Sequence, residues 1–502
     1  MRPPSVTSGG LTGWFLSKDR IATSVVIVFV LMSVERVLAF ARGIVFARLL
    51  GTTQYGVYTL GLFIVPFMAT VASLGMHVGF GRYSSRHEMN GGLRWFLSKT
   101  YLLTVAIAIA AAGAIIVFSS HVSGLLYGDQ SNRRIIIIAA LSIPAVLLLR
   151  NLSATFMGLK LFRAGRLVDS AQVCAYAALG IALVVVSPTA TMGVLGYVLS
   201  AFVSVAIFYP LLLRYARAVE PTPTAIEEPR FLRNLLGIMI WYAIIPVISQ
   251  VFHYVDRFSL QHMMSTSVQG IYSATVGLCE TLSAIGLAFT SVAYPHLCAT
   301  WERGDRDKTR RDLDLGVRVM GIVLLVAGLI LVVFGKWFIL ILLGRDYLPG
   351  ASALPFLAVF YLATMHISLI AVYPSLVEKN YIVAVGFLVG LPAAVVFNLL
   401  LVPRLGMVGA ALSVLLSYFF IWAIVVAICR RFGLLFTRRT VMVCLSIFTL
   451  LLPPYAAVPA VALFLYACAF RPWILSPEER EKAYGEIGRV LARARQLLPA
   501  RH

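Results

Sequence analysis

Residues 193–204 read GVLGYVLSAFVS and residues 406–417 read GMVGAALSVLLS, sharing both glycines, a Leu-Ser pair and the closing serine. The same offset of 213 relates ALSIPAVLLL at 140–149 to ALPFLAVFYL at 353–362. Near the start, Gly56-Val57-Tyr58 precedes Gly270-Ile271-Tyr272 by 214 positions. One such island means little, because apolar helices resemble one another in composition. Three at nearly one offset predict an internal repeat. The repeat holds six apolar runs, an even number, so its two copies enter the membrane in the same direction. They are expected to be related by an axis along the membrane normal, with a cavity between them.

The rest of the chain fits a membrane solvent. Of 502 residues, 60% are hydrophobic and 13% charged, against about half and a quarter in soluble domains. Mean hydropathy is +0.90. A large soluble catalytic domain, a secreted disulfide scaffold and a disordered chain are thereby excluded. The six cysteines lie in or beside apolar runs without C-x-x-C spacing and read as structural thiols. The run after Lys18-Asp19-Arg20 lacks a small-residue cleavage site and reads as an uncleaved helix.

A span needs roughly 20 apolar residues. Twelve candidates follow: 21–47, 56–79, 100–119, 135–158, 168–186, 192–213, 234–255, 271–297, 317–341, 352–376, 381–402 and 407–429. A last stretch, Thr440 to Phe470, is interrupted by Pro453-Pro454. Charge resolves it. With the N-terminus inside, most arginines and lysines fall in inner loops, such as Arg82, Arg86 and Arg94, then Lys160, Arg163 and Arg166, then Arg303 to Arg311. The tail is also basic and belongs inside by the positive-inside rule. An even number of crossings requires two short helices hinged at the prolines.

The expected fold is therefore an all-α polytopic membrane protein of about 14 transmembrane helices. It has an N-lobe (1–213), a cytoplasmic linker (214–233), a C-lobe (234–429), helices 13 and 14 (430–471) and a cytoplasmic tail (472–502). Within the tail, Ser476-Pro477-Glu478-Glu479 is a capping-box start. Apolar residues at helical spacing between arginines then predict an amphipathic helix on anionic membrane lipid. The net charge of +21 is thus read as topology and lipid attraction, not nucleic-acid binding.

Sought chemistry is missing from the sequence. The only Gly-Lys, at 335–336, has Ile330 and Trp337 where a phosphate-binding loop needs Gly and Ser or Thr. No H-E-x-x-H occurs, and no metal or cofactor is expected. Asp305, Asp307, Asp312 and Asp314 lie among arginines and read as a solvated, self-paired run. An enzyme reading, such as an integral-membrane glycosyltransferase, is the alternative from another class. It would need acidic residues in outer loops, which offer only Asp129 and Asp346, with Asp256 at a helix end.

Intramembrane charge costs several kcal/mol unless it faces a cavity or a partner, so function is sought there. Helix 1 carries Glu35, Arg36 and Arg42, helix 4 Arg150, and helix 8 Glu280. Glu35 and Arg42 share a face, and Arg36 lies about 100° from Glu35. Helix 7 ends in a stripe of Gln250, His253, Tyr254 and Arg257, beside Asp256. The bland alternatives are interhelical ion pairs, snorkelling for Arg42 and Arg257, and a satisfied interfacial pair for His253 and Tyr254.

At 35–61 the sequence ERVLAFARGIVFARLLGTTQYGVYTLG resembles the first helix and loop of polysaccharide-exporter-type flippases of the multidrug/oligosaccharidyl-lipid/polysaccharide exporter superfamily. The likeness continues at SLGMHVGFGRYSSRH (73–87), DRFSLQHMMSTSVQGIYSATVGLCE (256–280) with Pro295 beyond it, and NLLLVPRLGMVGAALS (398–413). It covers about residues 20–430. RVLAFAR (36–42) is also similar to the lipid II flippase branch, although Gly43 stands where that branch often has an acid. The resemblance implies a two-lobed fold, a cationic cavity, alternating access and a polyprenyl-(pyro)phosphate-linked oligosaccharide as cargo. The protein is then expected to act as a monomer in the cytoplasmic (inner) membrane with both termini cytoplasmic, its coupling cation, if any, unspecified. A cation-coupled multidrug extruder of the same fold is the runner-up.

The expected substrate residues are Arg36, Arg42, Glu35, Arg150, Glu280, His253, Tyr254 and Gln250, with Asp256 and Arg257 as gate residues. Arg36 and Arg42 are the expected pyrophosphate ligands, since a planar guanidinium stays charged and donates two hydrogen bonds to phosphate. They lie roughly 9 Å apart along the helix axis. Glu35 is expected to hold Arg42 when no cargo is bound. The offset of 214 places Arg42 opposite Asp256 as a candidate outer gate bond.

Overall fold

The computed structural model describes residues 21–73, 75–218, 245–434 and 436–470. The linker sequence at 220–229 and the amphipathic tail lie outside the described residues, as do the first twenty residues. Among the described residues every regular element is a helix.

In the first half these are α1 (Ile21–Ser73), α2 (Met76–Met89), α3 (Leu93–Val117), α4 (Ser119–Tyr127), α5 (Arg133–Leu141), α6 (Ile143–Gly158), α7 (Phe162–Val186) and α8 (Ala190–Ala218). Helical residues 245–252 lead into α9 (Val255–Met263), α10 (Thr266–Glu302) and α11 (Arg306–Val333). Then come α12 (Gly335–Phe338), a π-turn (Ile339–Leu343), a 3₁₀ segment (Arg345–Ser352), α13 (Leu354–Ile370), α14 (Val372–Leu376) and α15 (Tyr381–Arg431). Finally α16 (Arg438–Ser446) passes through a 3₁₀ turn (Ile447–Leu451) to α17 (Pro454–Phe470).

Nine helices among the described residues are long and apolar enough to cross a membrane. Two of them are helix pairs joined without a loop. Gly51 breaks α1 at φ 70°, ψ 173°, and Gly406 breaks α15 at φ 58°, ψ −130°. Both conformations are open to glycine and costly for other residues. Each break falls where the sequence calls for a turn between spans, after residue 47 and before residue 407. Helices α16 and α17 meet at Pro453-Pro454, as expected of a hinged pair. Proline lacks an N–H for the preceding turn and disfavours the helical region for its predecessor. The protein is a multi-pass membrane protein.

By internal packing the chain forms two compact units. One comprises the described residues within Met1–Thr281, Lys336–Ala353 and Val383–Ile421. The other comprises those within Leu282–Gly335, Leu354–Ile382 and Trp422–His502. This division cuts across the lobes expected from the repeat. The reason lies in the first unit, where equivalent helices of the two repeats touch. A methyl group added at Gly56 would strike the backbone oxygen of Thr266, and one at Gly270 would strike that of Thr52. The two glycines are 214 positions apart, and so are the two threonines. The contact is reciprocal, residue i on j' and j on i', as two-fold symmetry requires.

Within the same unit the second glycine of the first repeat segment, Gly196, lies on the backbone of Gly180, so that α8 approaches α7 closely. Phe46, Tyr58 and Tyr176 fill the space beside them, with the Phe46 ring edge-on to Tyr58 at 5.2 Å and to Tyr176 at 6.0 Å. The segment 345–352 is tied to the end of the first arm of α1. Tyr347 donates to the Ala47 carbonyl at 2.7 Å, and Arg48 donates to the carbonyls of Leu342 at 2.7 Å and Ile341. Arg48 is thus a helix-end brace.

The second unit holds a correction. Asp314 is not in a solvated run. It is 5% exposed, pairs with Arg318 at 3.2 Å and accepts hydrogen bonds from the hydroxyls of Thr437 and Thr440. Helix α11 begins at Arg306 and carries Asp314 two turns inside, on the face toward α16. Counting charges by segment treats Asp312 and Asp314 alike, whereas on a helix positions two apart point in different directions. Asp312 meets His296 at 3.1 Å, and Asp307 meets Arg310 at 3.2 Å.

Candidate functional site

All ten expected site residues fall in the first unit. Glu35 and Arg36 are neighbours on α1 with opposite fates. Helical rotation of about 100° per residue turns them to different surroundings. Glu35 faces α7. The Arg166 guanidinium donates to both Glu35 oxygens, at 3.0 and 2.8 Å, and Ser170 donates to Oε1 at 2.6 Å. Arg166 also donates to Asp169 at 3.1 Å, which accepts from Ser153 at 3.1 Å. Glu35 is therefore committed to α7, and the expectation that it holds Arg42 is not met. Spacing within one helix reveals same-face neighbours but is silent about a partner 131 residues away. Arg166, assigned to an inner loop from the sequence, lies one turn inside α7, which starts at Phe162.

Arg36 faces elsewhere. Its guanidinium stands 4.0 Å from Glu280 of α10, and the two side chains are 49% and 55% exposed. The pair joins the first arm of α1 to the middle of α10, and it is long and open. A guanidinium held so loosely keeps its donors available to an anion.

Arg42 is half-buried one and a half turns further on. Its guanidinium carbon lies 3.9 Å above the centre of the Tyr176 ring, and its Nε is buried without a hydrogen-bond partner. Tyr176 in turn shares a 2.6 Å hydrogen bond with Tyr58. Cation–π contact of this kind holds a guanidinium against its aromatic partner, so Arg42 and Arg36 sit in different surroundings.

Arg150 and Gln250 meet at a common acceptor. Arg150 donates to the Thr70 hydroxyl at 3.0 Å, and Gln250 donates to the same oxygen at 2.9 Å. Thr70 passes its own proton to the Pro66 carbonyl at 2.7 Å. This is the usual back-bond of a helical threonine to the carbonyl four residues before it. Gln250 Oε1 is buried with no partner.

The stripe at the end of the 245–252 helix is largely self-satisfied. His253 Nδ1 is 2.7 Å from the Ser249 carbonyl, and Arg257 donates to the His253 carbonyl at 2.8 Å. The Arg257 guanidinium lies 4.4 Å over the Tyr254 ring, which packs on Phe63 with centroids 4.1 Å apart. Asp256 is 4% exposed. It accepts from the Tyr272 hydroxyl at 2.7 Å and from the Arg257 amide at 2.8 Å. The carboxylate expected to meet Arg42 is in this structure occupied by its own neighbours.

Sequence reasoning missed Arg166, Ser170, Thr70 and Tyr176. Three of these are ordinary polar or aromatic residues whose part depends on packing. Also missed was Thr-x-x-x-Gly, at 52–56 and again at 266–270, a small-x-x-x-small spacing that brings helices together and that was legible at the repeat offset.

Comparison with known proteins fits this geometry. No curated protein matches the chain in sequence. Among solved structures the chain is similar to the lipid II flippase MurJ in an inward closed conformation, with TM-score 0.70 and 12% identity over 89% of this chain and all of that one. It is similar to an outward-facing multidrug resistance MATE family transporter of the MOP superfamily, with TM-score 0.60 and 13% identity over 86% of this chain and 99% of that one. A MOP superfamily transporter from Pyrococcus furiosus, described as having a binding pocket of reverse polarity, matches with TM-score 0.57 and 14% identity over 84% and 97%. At these identities the likeness establishes the fold. Residues 45–352 match the polysaccharide biosynthesis protein family, which is more than half of the chain, and the chain belongs to that family.

Proposed function

We propose that the protein is a flippase that moves a polyprenyl-(pyro)phosphate-linked oligosaccharide across the cytoplasmic membrane by alternating access, for cell-surface polysaccharide biosynthesis. The observation that carries the reading is Arg36, a half-exposed guanidinium on a spanning helix, 4.0 Å from the Glu280 carboxylate. A charge within the bilayer costs about 3 kcal/mol or more unless it faces a cavity or a partner, and a half-exposed one of this kind suits a path along which an anion passes. A (pyro)phosphate crossing the membrane needs such a partner, and guanidinium serves by charge and by its paired donors. Arg150, shared with Gln250 on Thr70, is placed to add positive potential. Family membership supports a glycan pathway, and the fold supports transport. Both termini are assigned to the cytoplasm on the positive-inside bias.

The fold is also that of multidrug transporters, and Glu280 offers a carboxylate to a cationic drug. The two readings separate in proteoliposomes. A fluorescent polyprenyl-pyrophosphate-linked disaccharide should be flipped, at a rate well above empty liposomes, and ethidium should not be accumulated. Ethidium transport without lipid movement would transfer the protein to the drug-extruding class.

A further inference from the structure

The second unit holds a groove of about 290 Å³ between α10, α11 and α13. Its walls are apolar, with Phe289 and Leu297 of α10, Leu315, Gly316 and Val319 of α11, and Leu369 of α13. Gly316 gives it width. A methyl group added there would meet Leu369 and Phe289 only in ordinary contact, at 3.6 Å. Phe289 stands seven residues from His296, and Val319 seven from Asp312. The groove therefore runs roughly 10 Å along both helices.

Polarity is confined to one end. His296 and Asp312 line that end and are joined at 3.1 Å. Beyond them lie cations on the same helical faces. Arg303 follows His296 by seven residues, and Lys308 and Arg311 precede Asp312 and Leu315 by four. All three are exposed. Most carboxylates of this turn are already engaged. Asp305 accepts from the Lys308 amide at 3.2 Å, Asp307 holds Arg310 at 3.2 Å, and Asp312 holds His296. That leaves Glu302 against Arg303, Lys308 and Arg311, with Arg306 over the Trp301 ring.

Apolar walls, a polar mouth and surplus positive charge outside it match an amphiphile with an anionic head. By the positive-inside assignment the α10–α11 turn faces the cytoplasm. A glycerophospholipid of the inner leaflet would then have its phosphate level with the turn and an acyl chain level with the groove. Each basic residue near such a head favours an anionic lipid by about fivefold, a gain that a zwitterionic head does not receive. The site is complete within the second unit, whereas the ten candidate cargo residues belong to the first.

We propose that the groove between α10, α11 and α13 binds one anionic glycerophospholipid, with an acyl chain between Phe289 and Gly316 and the phosphate held by Arg303, Lys308 and Arg311. The proposal needs a membrane and does not depend on the cargo.

The test uses the full chain in nanodiscs containing a trace of phosphatidylglycerol with a diazirine on one acyl chain. The reference is α15, whose exposed Val395, Val396, Leu399 and Leu400 report ordinary lipid contact. After illumination, peptides holding Phe289 and Val319 should carry at least about fivefold more label than the reference peptide, the preference that one cation contact gives. The same probe with a phosphatidylcholine head should lose that excess, and so should phosphatidylglycerol on Arg303→Gln with Lys308→Gln and Arg311→Gln. Gly316→Leu, which fills the groove, should remove the excess and leave the α15 label unchanged. Equal labelling of groove and reference in the unaltered chain overturns the site, as does an excess that survives Gly316→Leu. An equal excess from both heads overturns the anionic lipid. Displacement of the probe by an equimolar polyprenyl phosphate overturns the phospholipid and gives the groove to the cargo's chain.

Discussion

Two ion pairs begin one residue apart on α1. Glu35 with Arg166 is short, supported by Ser170 and by Asp169, and mostly shielded, the two side chains being 15% and 18% exposed. Arg36 with Glu280 is long and half-exposed on both sides. The chemical groups are identical, one carboxylate and one guanidinium. Surroundings separate them: a charge whose donors and acceptors are filled by protein fastens helices together, and one left with spare donors is available to a ligand. Charge inside a membrane is thus a sign of function only after its partners are counted.

The comparison orders the effect of charge removal on stability. The buried pair of the second unit, Asp314 with Arg318, lies beyond the Glu35 pair on the same scale, with Arg318 3% exposed. Arg318→Ala should therefore cost most, about 3–5 kcal/mol, because it leaves a buried carboxylate without a counter-charge. Thermal unfolding in detergent and the yield of folded protein would register it. Arg166→Ala removes charged hydrogen bonds from a partly shielded site and should cost about 1–3 kcal/mol. Transport by the surviving folded fraction should persist. Arg36→Ala should change stability least, within about 0.5 kcal/mol, as for other open positions. An unfolding scan in which Arg36→Ala is the worse of the two α1 variants would reverse the assignment of clasp and site.

Arg42 sharpens the same contrast. Its guanidinium is stacked on Tyr176, so Tyr176→Leu should free it. If Arg42 is a cargo ligand restrained by that ring, Tyr176→Leu changes the affinity for the lipid-linked disaccharide. Unchanged affinity assigns Arg42 to packing, and this is the outcome expected.

Much of this was legible in sequence, and the limits have physical causes. Spans, the proline hinge and the repeat depend on apolar periodicity and glycine spacing, which are local properties. The breaks at Gly51 and Gly406 fall in gaps between spans, but their length was not legible, because a single glycine at positive φ can join two helices without a loop. Charge partners were the weak point. Glu35 was matched to Arg42 since both sit on one face of one helix, while the true partner, Arg166, enters from α7. Asp314 was read with its neighbours as solvated, since a run of charge hides which member turns inward. The Gly56 and Gly270 island served only to align the repeat, although its meaning is that the two copies touch there.

The central claim is that Arg36 is the exposed cation that compensates the crossing phosphate. The direct measurement is the flip rate of a fluorescent polyprenyl-pyrophosphate-linked disaccharide by purified Arg36→Ala and Arg36→Lys in proteoliposomes at equal protein content. The account predicts that alanine abolishes flipping while the protein stays folded, and that lysine, a point charge without the planar pair of donors, restores it only in part. Flipping by Arg36→Ala at the rate of the unaltered chain would contradict it.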